Sequence, residues 1–166
     1  MPLTRKSKII VPIAAAAYVL DRLTKLLIID RLDLYQSVRV VDGFFDITHV
    51  RNTGAAFSFL AHLDESYRVY FFAATTIAAI GLLLYFVKEA KSADTLMLSA
   101  LGLILGGALG NLTDRLMYGN VVDFIDWYVG RYHWPAFNMA DSCITVGVFL
   151  LGYELILKGK SDAEAK

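Results

Sequence analysis

The sequence predicts an all-α membrane bundle of four transmembrane helices with a small extracytoplasmic antiparallel β-sheet, and three observations point there. Apolar residues make up 57% of the chain, and the mean hydropathy of +0.52 exceeds that of an ordinary soluble domain. Four apolar runs, at about 9–29, 69–87, 96–112 and 137–157, each approach the ~20 residues a helix needs to cross ~30 Å of hydrocarbon. Between the first two, "SVRVVDGFFDITHV" (37–50) sets Asp42-Gly43 between strand-like stretches, a short-range hairpin signal. The length of 166 residues suits one domain, read as a single integral membrane unit over 1–166.

The first run opens "RKSKIIVPIAAAAYVL", whose basic start and apolar core also suit a signal peptide. Apolar residues resume after Lys25 as "LLII" and extend it to spanning length, so it is taken as the first span. Lysine and arginine crowd the short N-terminal tail (Arg5, Lys6, Lys8), the second link (Lys88, Lys91) and the C-terminal tail (Lys158, Lys160, Lys166). They are sparser over the long links at 30–68 and 113–136, so both termini are expected in the cytoplasm and the long links outside. After the hairpin, "RNTGAAFSFL" adds a glycine turn and a semi-apolar segment, completing a sheet-bearing link that rests at the interface. In the third span Gly102, Gly106 and Gly110 recur every four residues, and with Gly107 they let neighbouring helices approach closely. The link at 113–136 holds Trp127, Tyr128, Tyr132 and Trp134, read as an interfacial aromatic belt.

Sixteen basic and sixteen acidic residues leave no net field to attract nucleic acid. Cys143 is the one cysteine, and no Cys/His spacing suggests a metal site, so neither cofactor nor metal is indicated. Cys143 and the methionines are taken as packing residues, and His49, His62 and His133 as surface residues.

The polar residues of the threaded chain gather near the outer interface. Asp21, Arg22 and Lys25 fall in the outer half of span one, Asn111, Asp114 and Arg115 at the end of span three, and Asn138 and Asp141 in the first turns of span four. Asp123, Asp126 and Asn52 lie in the outer links. A charge inside a bilayer costs ~2.5–3.5 kcal/mol even on lenient scales and usually pairs within the bundle. Asp21 and Lys25 suit an i,i+4 ion pair, with Lys25 also able to snorkel outward. Asp114 and Arg115 suit a helix-end cap and anchor, and Asn111 and Asn138 suit interhelical hydrogen bonds. Asp123 and Asp141 have no cation at helical spacing. Two carboxylates brought together in apolar surroundings share a proton and supply an acid and a base, as aspartic peptide hydrolysis requires. A proton relay uses the same ingredients. A proton-coupled transporter would instead place ionisable groups at mid-bilayer in repeated halves, and a scaffold would leave the unpaired aspartates without a reason. Gly-x-Gly-Asp, found in other intramembrane aspartic proteases, is absent.

"GGALGNLTDR" (106–115), "NVVDFID" (120–126) and "FNMADS" (137–142) resemble the signature blocks of the lipoprotein signal peptidase (signal peptidase II) family, as do "DRLTK" (21–25) and "RNTGAAFS" (51–58). The resemblance runs in order from the first span to the last. It implies a catalytic pair at Asp123 and Asp141, with Asn52, Gly54, Asn111, Asp114, Arg115, Asn138, Asp21 and Lys25 lining or supporting the site. It also implies a bacterial prolipoprotein substrate whose cysteine carries diacylglycerol, cleavage just before that cysteine in the cytoplasmic (inner) membrane, contact with membrane lipid, and inhibition by globomycin-like peptides.

Overall fold

Four long helices and four short strands alternate along the chain: α1 (Arg5–Arg31), β1 (Ser37–Val41), β2 (Phe45–Asn52), α2 (Glu65–Glu89), α3 (Thr95–Tyr118), β3 (Val121–Val129), β4 (Tyr132–His133) and α4 (Met139–Glu164). The structure, a computed structural model, describes residues 4–54, 65–90 and 94–164. The semi-apolar stretch after Gly54, His62, Lys91 and Lys166 lie outside the described residues.

Three helices contain segments long and apolar enough to cross a membrane: Val69–Glu89, Thr95–Tyr118 and Met139–Leu157. The 27-residue α1 is long enough, but its C-terminal half holds Asp21, Arg22 and Lys25, and it does not reach the same apolar measure. α3 is the central helix. It packs mainly on α1 and α4, and over half of its apolar window is buried against little of that of α2. The glycines of α3 make these contacts close. A Cβ on Gly102 would meet Ile13 and one on Gly106 would meet Ala14 and Ala17, all on α1. A Cβ on Gly107 would press on the Ala140 carbonyl and Ile144 of α4, and one on Gly110 would press on Asp21. The expected packing role of this glycine series is what the structure contains.

The hairpin forms where Asp42-Gly43 predicts it. Gly43 takes φ +74°, and β1 and β2 pair antiparallel from Ser37 opposite Thr48 to Val41 opposite Phe45. The second link, expected to carry an aromatic belt, also supplies a strand to the sheet. α3 continues to Tyr118 because Asp114 finds buried partners inside the bundle, and Gly119, at φ +73°, ends the helix in the left-handed conformation. Val121–Val129 then forms β3, which pairs antiparallel with β2 and completes a sheet of order β1-β2-β3-β4. Trp127, Tyr132 and Trp134 stay exposed on this strand and the β4 hairpin.

His49 also departs from expectation. It is buried, with Nδ1 on the Leu32 carbonyl (2.9 Å) and Nε2 accepting from Arg51 Nε (3.1 Å), so it fastens the end of α1 to β2. His133 is exposed beside Asp126.

Candidate active site

The strand β3 and the start of α4 are tied together by backbone bonds before any side chain is considered. The Phe137 N–H donates to the Ile125 carbonyl (3.1 Å), and the Phe124 and Ile125 N–H groups donate to the Phe137 carbonyl. Asn138, the next residue, is thereby delivered to the side of Asp123. It is the N-cap position of α4 and forms a reciprocal cap with Asp141. The Asp141 N–H donates to Asn138 Oδ1 (2.9 Å), while Asp141 Oδ2 accepts the Asn138 N–H (3.3 Å). A cap residue followed three positions later by an acid was a readable signal, and it gives Asp141 a local structural reason as well as any chemical one.

Three asparagines then orient both carboxylates. Asn138 Nδ2 donates to Asp123 Oδ1 (2.7 Å) and to Asn111 Oδ1 (3.2 Å). Asn111 Nδ2 donates to Asp141 Oδ1 (2.8 Å). Asn52 Nδ2 donates to Asp123 Oδ2 (2.9 Å). Asn52 lies opposite Val121, so it reaches Asp123 diagonally along the same face of the β2–β3 pair. The Gly54 N–H holds Asn52 Oδ1 at 2.8 Å, and Gly54 adopts φ +79° against the Phe72 ring, where a side chain would be both strained and blocked. Asn111 and Asn138 are the interhelical hydrogen-bonding pair the sequence suggested, extended to both acids.

Asp123 is 2% exposed. Burial pushes its carboxyl up from 3.8 to about 7. The Asn52 hydrogen bond opposes that rise, the negative charge of Asp141 adds to it, and Asn138 and Lys25 oppose it in turn. Arg115 is attracted to Asp141 and Asp123, and its Nη1 donates to the Asn111 carbonyl (3.3 Å) while its guanidinium lies 5.7 Å over the Phe72 ring. Two clefts reach the pair. One, of about 350 Å³, lies among α2, α3 and α4 and is lined by Phe72, Thr76, Leu83, Asn111, Arg115 and Asp141 among others. The other, of about 260 Å³, lies against the sheet and is lined by Arg51, Asn52, Thr53, Asp123, Pro135 and Ala136 among others.

Lys25 is fully buried, 2.9 Å from Asp21 and 3.0 Å from Asp114, and it donates to Asn111 Oδ1 at 2.9 Å. The i,i+4 pair is present, but Lys25 does not snorkel, because its ammonium is paired inside the bundle with both Asp21 and Asp114 and donates to Asn111. Asp114 does not cap α3. It also pairs with Arg22, a partner that sequence spacing gave no means of finding.

The family described as Signal peptidase (SPase) II matches residues 13–157. The chain belongs to the signal peptidase II family. Among its relatives, the lipoprotein signal peptidase of Syntrophus aciditrophicus is 46% identical over 90% of this chain and 93% of its own length. That of Geobacter sulfurreducens is 48% identical over 91% and 93% respectively. A bacterial membrane enzyme solved by the in meso method at 1.9 Å superposes with a TM-score of 0.78 at 38% identity, covering 87% of this chain and 90% of that one. These likenesses establish a membrane-embedded peptidase of the signal peptidase II family. All ten residues expected at the site converge in the described fold around the two clefts and the Lys25 cluster, apart from any role they carry.

Proposed function

We propose that Asp123 and Asp141 are the catalytic pair of this peptidase. Family membership supplies the reaction: the chain is an aspartic peptidase that removes signal peptides from prolipoproteins. The observation that carries the assignment is the pair itself, two carboxylates from β3 and α4 linked through Asn138 and Asn111, each lining a cleft.

One proton belongs to the pair. It rests mainly on Asp123, whose carboxyl is pushed up to about 7. Asp141 takes a proton from water as the water oxygen attacks the scissile carbonyl, and Asp123 gives its proton to the carbonyl oxygen. The neutral tetrahedral intermediate then collapses. The C–N bond breaks as the departing nitrogen takes the proton held by Asp141, and one hydroxyl of the intermediate returns its proton to Asp123. Asn52 and Asn138 hold Asp123 in orientation, and Arg115 offers a cation to carbonyl or ester oxygens.

The substrate bears a diacylglyceryl group on the cysteine that follows the scissile bond. That group lies in the outer leaflet, so the bond must be met near the extracytoplasmic interface. This depth agrees with a polar cluster built from the C-terminal halves of α1 and α3, the start of α4 and the sheet. All four helices span the cytoplasmic (inner) membrane as one unit over residues 1–166, α1 included, since its charges are paired inside the bundle. Both termini are cytoplasmic, following the lysine and arginine bias. The helix-side cleft takes the signal peptide against surrounding lipid, and globomycin-like peptides block the enzyme by occupying it.

The test is cleavage of a purified diacylglyceryl-modified prolipoprotein in detergent by wild type, Asp123→Asn and Asp141→Asn. Wild type should cut just before the lipidated cysteine, with each folded variant slower by at least ~10³-fold. Near-normal turnover by either variant overturns the pair.

A further inference from the structure

Each proposed catalytic aspartate follows a residue whose backbone N–H is held by a buried carboxylate from a different helix. The Val122 N–H, just before Asp123, donates to Asp114 Oδ2 on α3 (3.1 Å). The Ala140 N–H, just before Asp141, donates to Asp21 Oδ1 on α1 (2.9 Å). Asp21 and Asp114 are both fully buried and both face the Lys25 ammonium. The same ammonium donates to Asn111, whose amide donates to Asp141.

We propose that Lys25 is a positioning residue that sets the spacing of Asp123 and Asp141 by clamping Asp21 and Asp114, the two carboxylates that anchor β3 and the start of α4. This rests on the catalytic pair proposed above and deepens it. A carboxylate can hold a backbone N–H in a buried place only if its charge is paired. Lys25 is the cation of Asp21 and shares Asp114 with Arg22. Within the described residues one ammonium therefore joins two otherwise separate anchors. Val122 and Ala140 are each 0% exposed, so neither backbone N–H has water as a substitute partner once its carboxylate moves. An anchor displaced by an ångström displaces the next side chain along the chain, and a reacting pair is sensitive on that scale.

Lys25 also contributes charge at the site. Among the described residues the charged groups around Asp123 are Asp141 on α4, Arg115 on α3, Arg51 on β2, which lines the same cleft, and Lys25 on α1, and the last of these holds the Asp123 carboxyl down. Removing the ammonium both loosens the anchors and raises the pH at which Asp123 loses its proton.

The experiment compares Lys25→Met and the double variant Asp21→Asn/Lys25→Met with wild type, Asp123→Asn and Asp141→Asn on the lipidated prolipoprotein. Thermal melting establishes the folded fraction, and kcat, KM and the pH dependence of kcat/KM are read on folded protein. The double variant leaves neither Asp21 nor Lys25 as a buried charge without its partner, so it carries the test if Lys25→Met does not accumulate. The expected result for either is a fall in kcat of about 100-fold, KM within about threefold, and an alkaline limb moved to higher pH. Folded Lys25 variants with kcat within about threefold of wild type and an unmoved limb overturn the clamp, provided Asp123→Asn and Asp141→Asn are inactive. If those two variants retain activity, the catalytic pair itself is wrong.

Discussion

Asp123 holds its proton to an unusually high pH for a reason that also costs stability. Its carboxyl is buried in β3 and pushed from 3.8 to about 7. Between those values the folded chain binds more protons at this position than the unfolded chain. The linkage relation then makes stability fall as pH rises from about 4 to about 7, at about 1.4 kcal/mol per unit for full occupancy, with no further change above. Asp123→Asn carries no titrating group and should flatten this part of the melting profile. In catalysis the same group acts as the acid, so kcat/KM of the wild type should decline as pH rises through about 7. Melting curves and initial rates across that range check both expectations. A melting temperature that rises steadily with pH toward neutrality contradicts the first, and an activity that climbs through the same range contradicts the second.

At the scale of elements, the start of α4 has two separable duties. Asn138 Oδ1 caps the helix through the Asp141 N–H, while Asn138 Nδ2 orients Asp123 and Asn111. Asn138→Ser keeps a cap-forming oxygen but loses the amide donor, whereas Asn138→Ala loses both. Losing the cap costs about 1 kcal/mol. The serine variant should therefore melt higher than the alanine variant while both lose activity by about 100-fold. Equal activity of Asn138→Ser and wild type would mean that the amide is not needed at the pair. The capping pattern was present in the sequence as Asn138 and Asp141 three apart. It is local chemistry, which is why it could have been read there. The pairing of β3 with β2 was not readable in the same way. It joins segments separated by two whole helices, and the apolar character of Val121 and Val122 suits a buried strand or an interfacial link alike.

Across the whole molecule, the polar site occupies one end of a bundle whose other faces are apolar. α2 is the least buried helix of the three apolar ones, and exposed aromatics flank the sheet at Trp127, Tyr132 and Trp134. The proposed orientation makes that end extracytoplasmic. In a Cys143→Ala background, a cysteine at exposed Tyr132 should react with a membrane-impermeant maleimide added to intact spheroplasts, and one at exposed Arg5 should react only after the membrane is opened. The reverse pattern would invert the topology and place the cleft on the wrong side for a lipid-anchored substrate.

Helix positions, the hairpin at Asp42-Gly43, close packing along the α3 glycines and the gathering of acids and asparagines toward one end were determined by the sequence itself. Those features follow from hydropathy over one span, turn chemistry over two residues, or side-chain size at four-residue spacing, and each acts over a short stretch of chain. Only the tertiary structure decided that Lys25 serves two acids instead of one, that Arg22 completes Asp114, and that His49 is buried between α1 and β2. It also decided that Asp123 stands on a strand stitched to the cap of α4. A buried polar group takes its partner from whichever element packs against it. That choice depends on helix contacts and strand register between distant segments, which no local pattern in the chain encodes.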